Sequence, residues 1–277
     1  MTDMRDTGLP FMKMHGLGND FVVLDARAHA IDLSPALVAA IADRHRGIGF
    51  DQLALIEAGP GDAHLVFHNA DGSVSAACGN ATRCIARHLM DESGASKLEL
   101  TTARGRLHAV DAGDGRVAVN MGQPQLAWDE VPLSEAMETL ELPIEGGPAA
   151  TGMGNPHCTF LVADADTVPL DSFGPRYEHH PLYPERTNVQ VASLVAPDHL
   201  RVRVWERGVG ITLASGSSSC AAAVAAVRRG LTGHRVRVDL DGGTLDIDWR
   251  ADGVWMTGET AHVATGVLTP EFLARIP

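Results

Sequence analysis

The chain has 277 residues, 45% of them hydrophobic, enough to bury a sizeable core as one large domain or two modest ones. A formal net charge of -13 with only 5% aromatic residues argues against nucleic acid as a partner, and no apolar run approaches the roughly 20 residues of a membrane span. The four cysteines are irregularly spaced and the first ten residues have no export-signal pattern, so reduced thiols in a cytoplasmic protein are expected.

Taken in chain order, His15-Gly16-Leu17-Gly18-Asn19-Asp20 leads into an apolar strand over Phe21 to Leu24. Asp51-Gln52 opens another strand, and His68-Asn69-Ala70-Asp71-Gly72 reads as a turn. At Ser75 to Cys84 the strand pattern gives way at Gly79, predicting a helix over Asn80 to Met90. Gly105-Arg106-Leu107 then opens an alternating strand that reaches a turn at Asp114-Gly115.

Roughly 137 residues later the same series returns. Gly154-Asn155 precedes the apolar run Phe160 to Val162, and Asn188-Val189 opens a strand. Ser215-Gly216 precedes a small-residue helix over Ser217 to Arg229, and Gly243-Thr244-Leu245 runs to Asp252-Gly253. With 29 glycines any one match is coincidence, but four matches in order are a repeat. The expected fold is α/β (α+β) with two similar halves, each a run of short strands around one helix. The boundary is expected near Gln125 to Asp129, with the tail from Val263 returning to the first half.

Nucleotide-binding glycine motifs are missing, only Lys13 and Lys97 offer amines for a Schiff base, and Cys78 and Cys84 are not spaced as zinc ligands. No cofactor and no metal are expected, so the chemistry falls to ordinary side chains. Cys78 stands where a helix begins; backbone N–H groups there lower a thiol's pKa from about 8.5 and also bind carboxylates. Against this, a free cysteine is commonly just a small buried residue. Ser215 has the ready structural explanation of a helix N-cap, and Glu206-Arg207 that of a surface ion pair.

Asn19, Asn69, Asn155 and Asn188 each read as turn formers, although uncharged amides also suit a zwitterionic ligand held between the halves. His15 and His68 read as structural. His157 sits in a Gly-Asn-Pro-His turn, where it would adjust a nearby thiol.

Six segments together resemble the diaminopimelate epimerase family: Lys13 to Phe21, Gly49 to Leu53, Asn69 to Ser73, Cys78-Gly79-Asn80, Gly154 to Cys158 and Glu206-Arg207-Gly208. The resemblance covers Phe11 to about Leu268. It implies two pseudo-symmetric domains, each a curved barrel-like sheet around a central helix, at 1–126 (with 264–277 packing back on it) and 127–263. It also implies a homodimer and a cofactor-independent isomerase that interconverts LL- and meso-diaminopimelate for lysine and cell-wall synthesis. Two cysteines of that family, one per domain, flank the substrate α-carbon, one removing a proton while the other delivers one.

Cys78 matches the first of these, but Ser215 occupies the position of the second. By the same resemblance, substrate contacts carry over to Asn19, Gln52, Asn69, Gly79, Asn80, Asn155, Asn188, Glu206, Arg207, Gly216 and Ser217, while His157 and Glu206 tune the thiols. The backbone after Gly79 and Gly216 would hold the α-carboxylate, Glu206 and the asparagines the ammonium groups, and Arg207 a carboxylate. A serine hydroxyl is a poor base at neutral pH, so epimerisation is expected to be impaired. Ser215 fits either a near-isosteric replacement made to trap a complex or a divergence toward one-base chemistry. The rival readings are a one-base lyase or dehydratase of a hydroxylated amino acid and a catalytically silent amino-acid-binding paralogue.

Overall fold

A computed structural model describes residues 8–276. The described residues up to Val119, with those from Glu259 onward, form one compact unit, and Asn120–Gly258 form a second. In the first unit the chain runs β1 (Leu9–Gly16), β2 (Asn19–Asp25), α1 (Pro35–Ala42), β3 (Gln52–Glu57), β4 (Ala63–Asn69), β5 (Val74–Ser75), α2 (Gly79–Ser93), β6 (Lys97–Thr102), β7 (Gly105–Gly113) and β8 (Arg116–Asn120). Strands β1 and β2 are antiparallel, β2 and β3 parallel, β3 and β4 antiparallel, and β4 and β6 parallel. Both parallel pairs need a crossover: α1 lies in the first and α2 in the second.

The second unit follows the same plan. Its elements are β9 (Ala149–Gly152), β10 (Pro156–Leu161), α3 (Leu170–Glu178), β11 (Asn188–Ala196), β12 (His199–Glu206), β13 (Gly210–Thr212), α4 (Gly216–Arg228), β14 (Arg235–Leu240), β15 (Gly243–Arg250) and β16 (Gly253–Glu259). Here β9 and β10 are antiparallel, β10 and β11 parallel, β11 and β12 antiparallel, and β12 and β14 parallel across α4. Even the register repeats: Phe21 faces Gln52 in the first unit and His157 faces Asn188 in the second. Beyond the repeat, β17 (Ala261–Leu268) pairs antiparallel with β1, and the short α5 (Pro270–Ala274) follows.

The two central helices, α2 and α4, each lie against several strands of their own unit. Helix α4 packs on β9, β10, β11, β12, β14 and β15, and Ala221, Ala222, Ala223, Val224, Ala225 and Ala226 are all buried. A helix apolar on nearly every face is a buried one, and small side chains let neighbouring strands come close to it. Helix α2 contacts β1, β2, β6 and β7 and runs past the predicted Met90, since Gly94 ends it in the left-handed region (φ 73°) with its N–H on the Met90 carbonyl. Elsewhere in the second unit, Phe160, Phe173 and Tyr177 form an aromatic trio with centroids 4.5–4.8 Å apart, binding α3 to β10.

Candidate active site

In the first unit, Cys78 is the N-cap of α2, with an extended backbone (φ −146°, ψ 104°) and a half-buried thiol. The Ala81 N–H points at its Sγ from 3.5 Å, and the Thr82 hydroxyl donates to its carbonyl at 2.8 Å. Beside it runs a directional chain of side chains. A guanidinium can only donate, so Arg83, wholly buried on α2, fixes the Asn80 amide by donating to Oδ1 at 2.9 Å. Asn80 Nδ2 then donates to Asn19 Oδ1 at 3.1 Å, and Asn19 Nδ2 to Asp51 Oδ2 at 2.9 Å. Both asparagine oxygens already accept a bond, and each amide has a second N–H beyond the one used in the chain.

The anchor of this chain is charged. Arg44 bridges Asp20 and Asp51 at 2.8 Å each, and Lys13 pairs with Asp20 and donates to the Gly49 carbonyl at 2.6 Å. Burial works to raise the Asp20 pKa, but hydrogen bonds from Arg44 and Lys13 outweigh it and bring it from 3.8 down to about 2. Gln52 and Asn69 face each other across β3 and β4; Gln52 Nε2 donates to Asn69 Oδ1 at 3.0 Å, and Asn69 Nδ2 to Ser73 at 3.0 Å. His15 Nδ1 accepts from Gly18 N at 3.4 Å, and His68 is buried on β4.

In the second unit Ser215 is the N-cap of α4, with nearly the same backbone (φ −134°, ψ 118°). Sequence reasoning expected its hydroxyl to cap the helix. Instead it makes no capping bond and donates to Glu206 Oε2 at 3.2 Å. The other oxygen of Glu206 accepts Thr212 Oγ1 at 2.6 Å, so the carboxylate faces two hydroxyls. Gly216 and Ser217 form the first turn of α4, as Gly79 and Asn80 do in α2.

His157 is fully buried on β10, with Nε2 2.9 Å from Asn155 Oδ1 and Nδ1 3.4 Å from both Ser218 Oγ and Gln190 Oε1. It thereby links the Asn155 turn to α4 one turn beyond Ser215. Asn188 is the least turn-like of the four asparagines: it opens β11, is buried, donates to the Pro156 carbonyl at 3.1 Å and accepts the Arg207 N–H at 3.0 Å. Arg207 also donates from Nη1 to the Glu185 carbonyl at 3.0 Å.

Sequence reasoning missed Arg83, Asp51, Thr212, Ser218 and the buried Glu178. Arg83 and Ser218 carried a local signal, each three residues along the helix from a named position, and Asp51 adjoins Gln52. All four cysteines are thiols; burial pushes Cys84 up to about 11 and Cys158 up to about 12. Among the described residues no group of three or more His, Cys, Asp or Glu is arranged to hold a metal ion, and no helix is long and apolar enough to cross a membrane.

The model of the family described as diaminopimelate epimerase matches residues 11–127 and 149–263. A diaminopimelate epimerase of Acidiphilium cryptum is 53% identical over 271 residues, covering 96% of this chain and 98% of that protein. One from Rhodospirillum centenum is 51% identical, covering 95% and 93%. In fold the chain is similar to a predicted epimerase from Pseudomonas aeruginosa (TM-score 0.67, 18% identity, 94% of this chain and 99% of that one). It is similar also to a probable proline racemase from Agrobacterium radiobacter (TM-score 0.68, 14% identity, 93% and 92%).

Proposed function

From the premise that this chain belongs to the diaminopimelate epimerase family, an isomerase class, we propose that it acts at the α-carbon of LL- and meso-diaminopimelate without a cofactor, with Cys78 as its one competent base. What carries the reading is the pair of helix starts. Cys78 and Ser215 hold matching N-cap conformations at matching points of the repeat, each beside N–H groups that bind carboxylates. The thiolate of Cys78 takes the α-proton, and the carbanionic charge that spreads onto the carboxylate is met by helix N–H groups. The remaining N–H groups of Asn19 and Asn80 donate to substrate oxygen, a role that suits a carboxylate better than the ammonium group expected from sequence.

In the family's pattern a second cysteine, at the position Ser215 occupies, would deliver a proton. Ser215 holds its hydroxyl hydrogen toward Glu206, and releasing it to carbon would leave an alkoxide. Proton removal by Cys78 therefore survives while inversion is slow. In this reading Asn155, Asn188, Glu206 and Arg207 receive the amino and carboxylate groups, and Gln52 and Asn69 are further substrate contacts.

We also read the protein as a cytoplasmic homodimer. Val263 (59% exposed) and Val267 (54%) on β17 offer apolar surface for a second copy.

The test is incubation of each isomer in D2O. One isomer should exchange its α-hydrogen with solvent far faster than the other isomer forms. No exchange with either would leave a silent binder, and water release from a hydroxylated analogue would point to a dehydratase.

A further inference from the structure

The last residue of α3 is a carboxylate that should not be buried without strong reason. Glu178 is 4% exposed, and an ionised carboxylate in such a place must be matched by donors. It has them on both oxygens. Oε2 accepts the Trp205 indole N–H at 2.6 Å, and Oε1 accepts the Gly208 backbone N–H at 2.9 Å and lies 3.5 Å from Arg186 Nη1. His179 Nε2 is 3.8 Å from Oε1. The backbone carbonyl of Glu178 meanwhile accepts the Thr187 N–H at 3.2 Å.

These bonds reach three places beside the candidate site residues of the second unit. Trp205 and Gly208 bracket Glu206 and Arg207, and the Val209 N–H closes that turn on the Glu206 carbonyl at 3.0 Å. Thr187 immediately precedes Asn188, whose Oδ1 holds the Arg207 N–H. We propose that Glu178 is a positioning residue for the substrate site, its carboxylate clamping the Glu206–Arg207 turn from behind and holding it in register with Asn188. This rests on the reading in which Glu206 and Arg207 meet the substrate.

The alternative, that Glu178 merely holds Trp205, is separable by packing. The indole is already pressed against α3: a Cβ added to Gly174 would lie 2.3 Å from its ring. Trp205 therefore has an apolar reason to stay where it is, whereas among the described residues the Gly208 N–H is held by Glu178 Oε1 alone. An amide at this position could accept on one oxygen and would turn N–H groups against the other donor.

The experiment compares the full-length protein with Glu178→Gln and with Glu178→Gln combined with Trp205→Phe. Backbone amide signals of residues 206–209 are followed by NMR without ligand, meso-diaminopimelate binding by calorimetry and folding by melting. The single variant should displace the 207–209 signals and weaken binding about tenfold, the equivalent of one lost buried hydrogen bond. In the double variant the single glutamine oxygen is left for Gly208, and both the signals and most of the affinity should return.

The clamp is overturned if Glu178→Gln leaves those amide signals in place, or if the double variant restores neither signals nor affinity. Should the single variant not fold, the double variant decides: signals at their original positions uphold the clamp, and displaced ones overturn it. If the unaltered protein does not bind diaminopimelate, the proposed function fails, and the ligand-free signals still judge the clamp.

Discussion

Replacing Ser215 with cysteine is the most direct perturbation of the proposed chemistry. The position is almost fully buried at the tip of α4, and its backbone already has the conformation in which Cys78 caps α2. A thiol there exchanges the 3.2 Å hydroxyl bond to Glu206 for a weaker sulfur contact, costing about 0.5–1.5 kcal/mol of stability. Glu206 keeps the Thr212 hydroxyl, so the carboxylate is not stranded.

The gain lies in the second proton transfer. A thiol with a pKa near 8.5 is still roughly three-quarters protonated at pH 8 and releases its proton to leave a stable thiolate, whereas a serine hydroxyl is a far weaker acid and would leave an alkoxide. Acid–base assistance by a positioned side chain is worth about 10²- to 10⁴-fold, or roughly 3–5 kcal/mol of barrier. Ser215→Cys should therefore raise LL-to-meso conversion by that factor, with a melting temperature lowered by only a few degrees. Conversion is followed by chiral separation of the isomers and deuterium incorporation by mass spectrometry. A folded, ligand-binding Ser215→Cys protein that converts no faster than its parent would refute the two-base reading.

The remaining expectations concern other parts of the molecule. Cys78→Ala should lower α-hydrogen exchange in D2O at least about 10²-fold and leave diaminopimelate affinity within a few fold; undiminished exchange would rule Cys78 out as the base. Titration of the native protein with a thiol reagent at pH 8 should label Cys78 first, because burial holds Cys84 near 11 and Cys158 near 12; early labelling of either would contradict their placement. Asp20, with a folded pKa of about 2 against 3.8, contributes stability that is complete above about pH 4 and is lost as pH falls toward 2. Allowing for solvent screening this is on the order of 1–2 kcal/mol, and denaturant unfolding of Asp20→Asn should show a flatter acid limb. Gly174→Ala should cost about 1–3 kcal/mol by driving a methyl group into the Trp205 ring, as read from the shift in unfolding midpoint.

The repeat was legible because its markers are local. Gly18 and Gly154 both need the left-handed region (φ 84° and 80°), and a change from strand to helix pattern at Gly79 and Gly216 is visible in single residues. The pairing of β1 with β17 and of β9 with β10 lay deeper, since Ala149–Gly152 is only four small residues with no pattern to read. At the site, the asparagines and Cys78 were recognisable from their motifs, but what holds them was not. Asp51 meets Asn19 from 32 residues away, and Glu178 meets Gly208 from 30, so neither bond leaves a trace in neighbouring letters. Ser215 illustrates the same limit: propensity favours a cap, yet a carboxylate nine residues earlier takes the hydroxyl.

The alanine-lined α4 is buried among six strands, and a close-packed interior resists the tilting or sliding of such a helix. Whatever atom the side chain at its tip carries is therefore delivered to a fixed address. Oxygen can be traded for sulfur there, or the reverse, and reactivity will change while the architecture registers almost nothing.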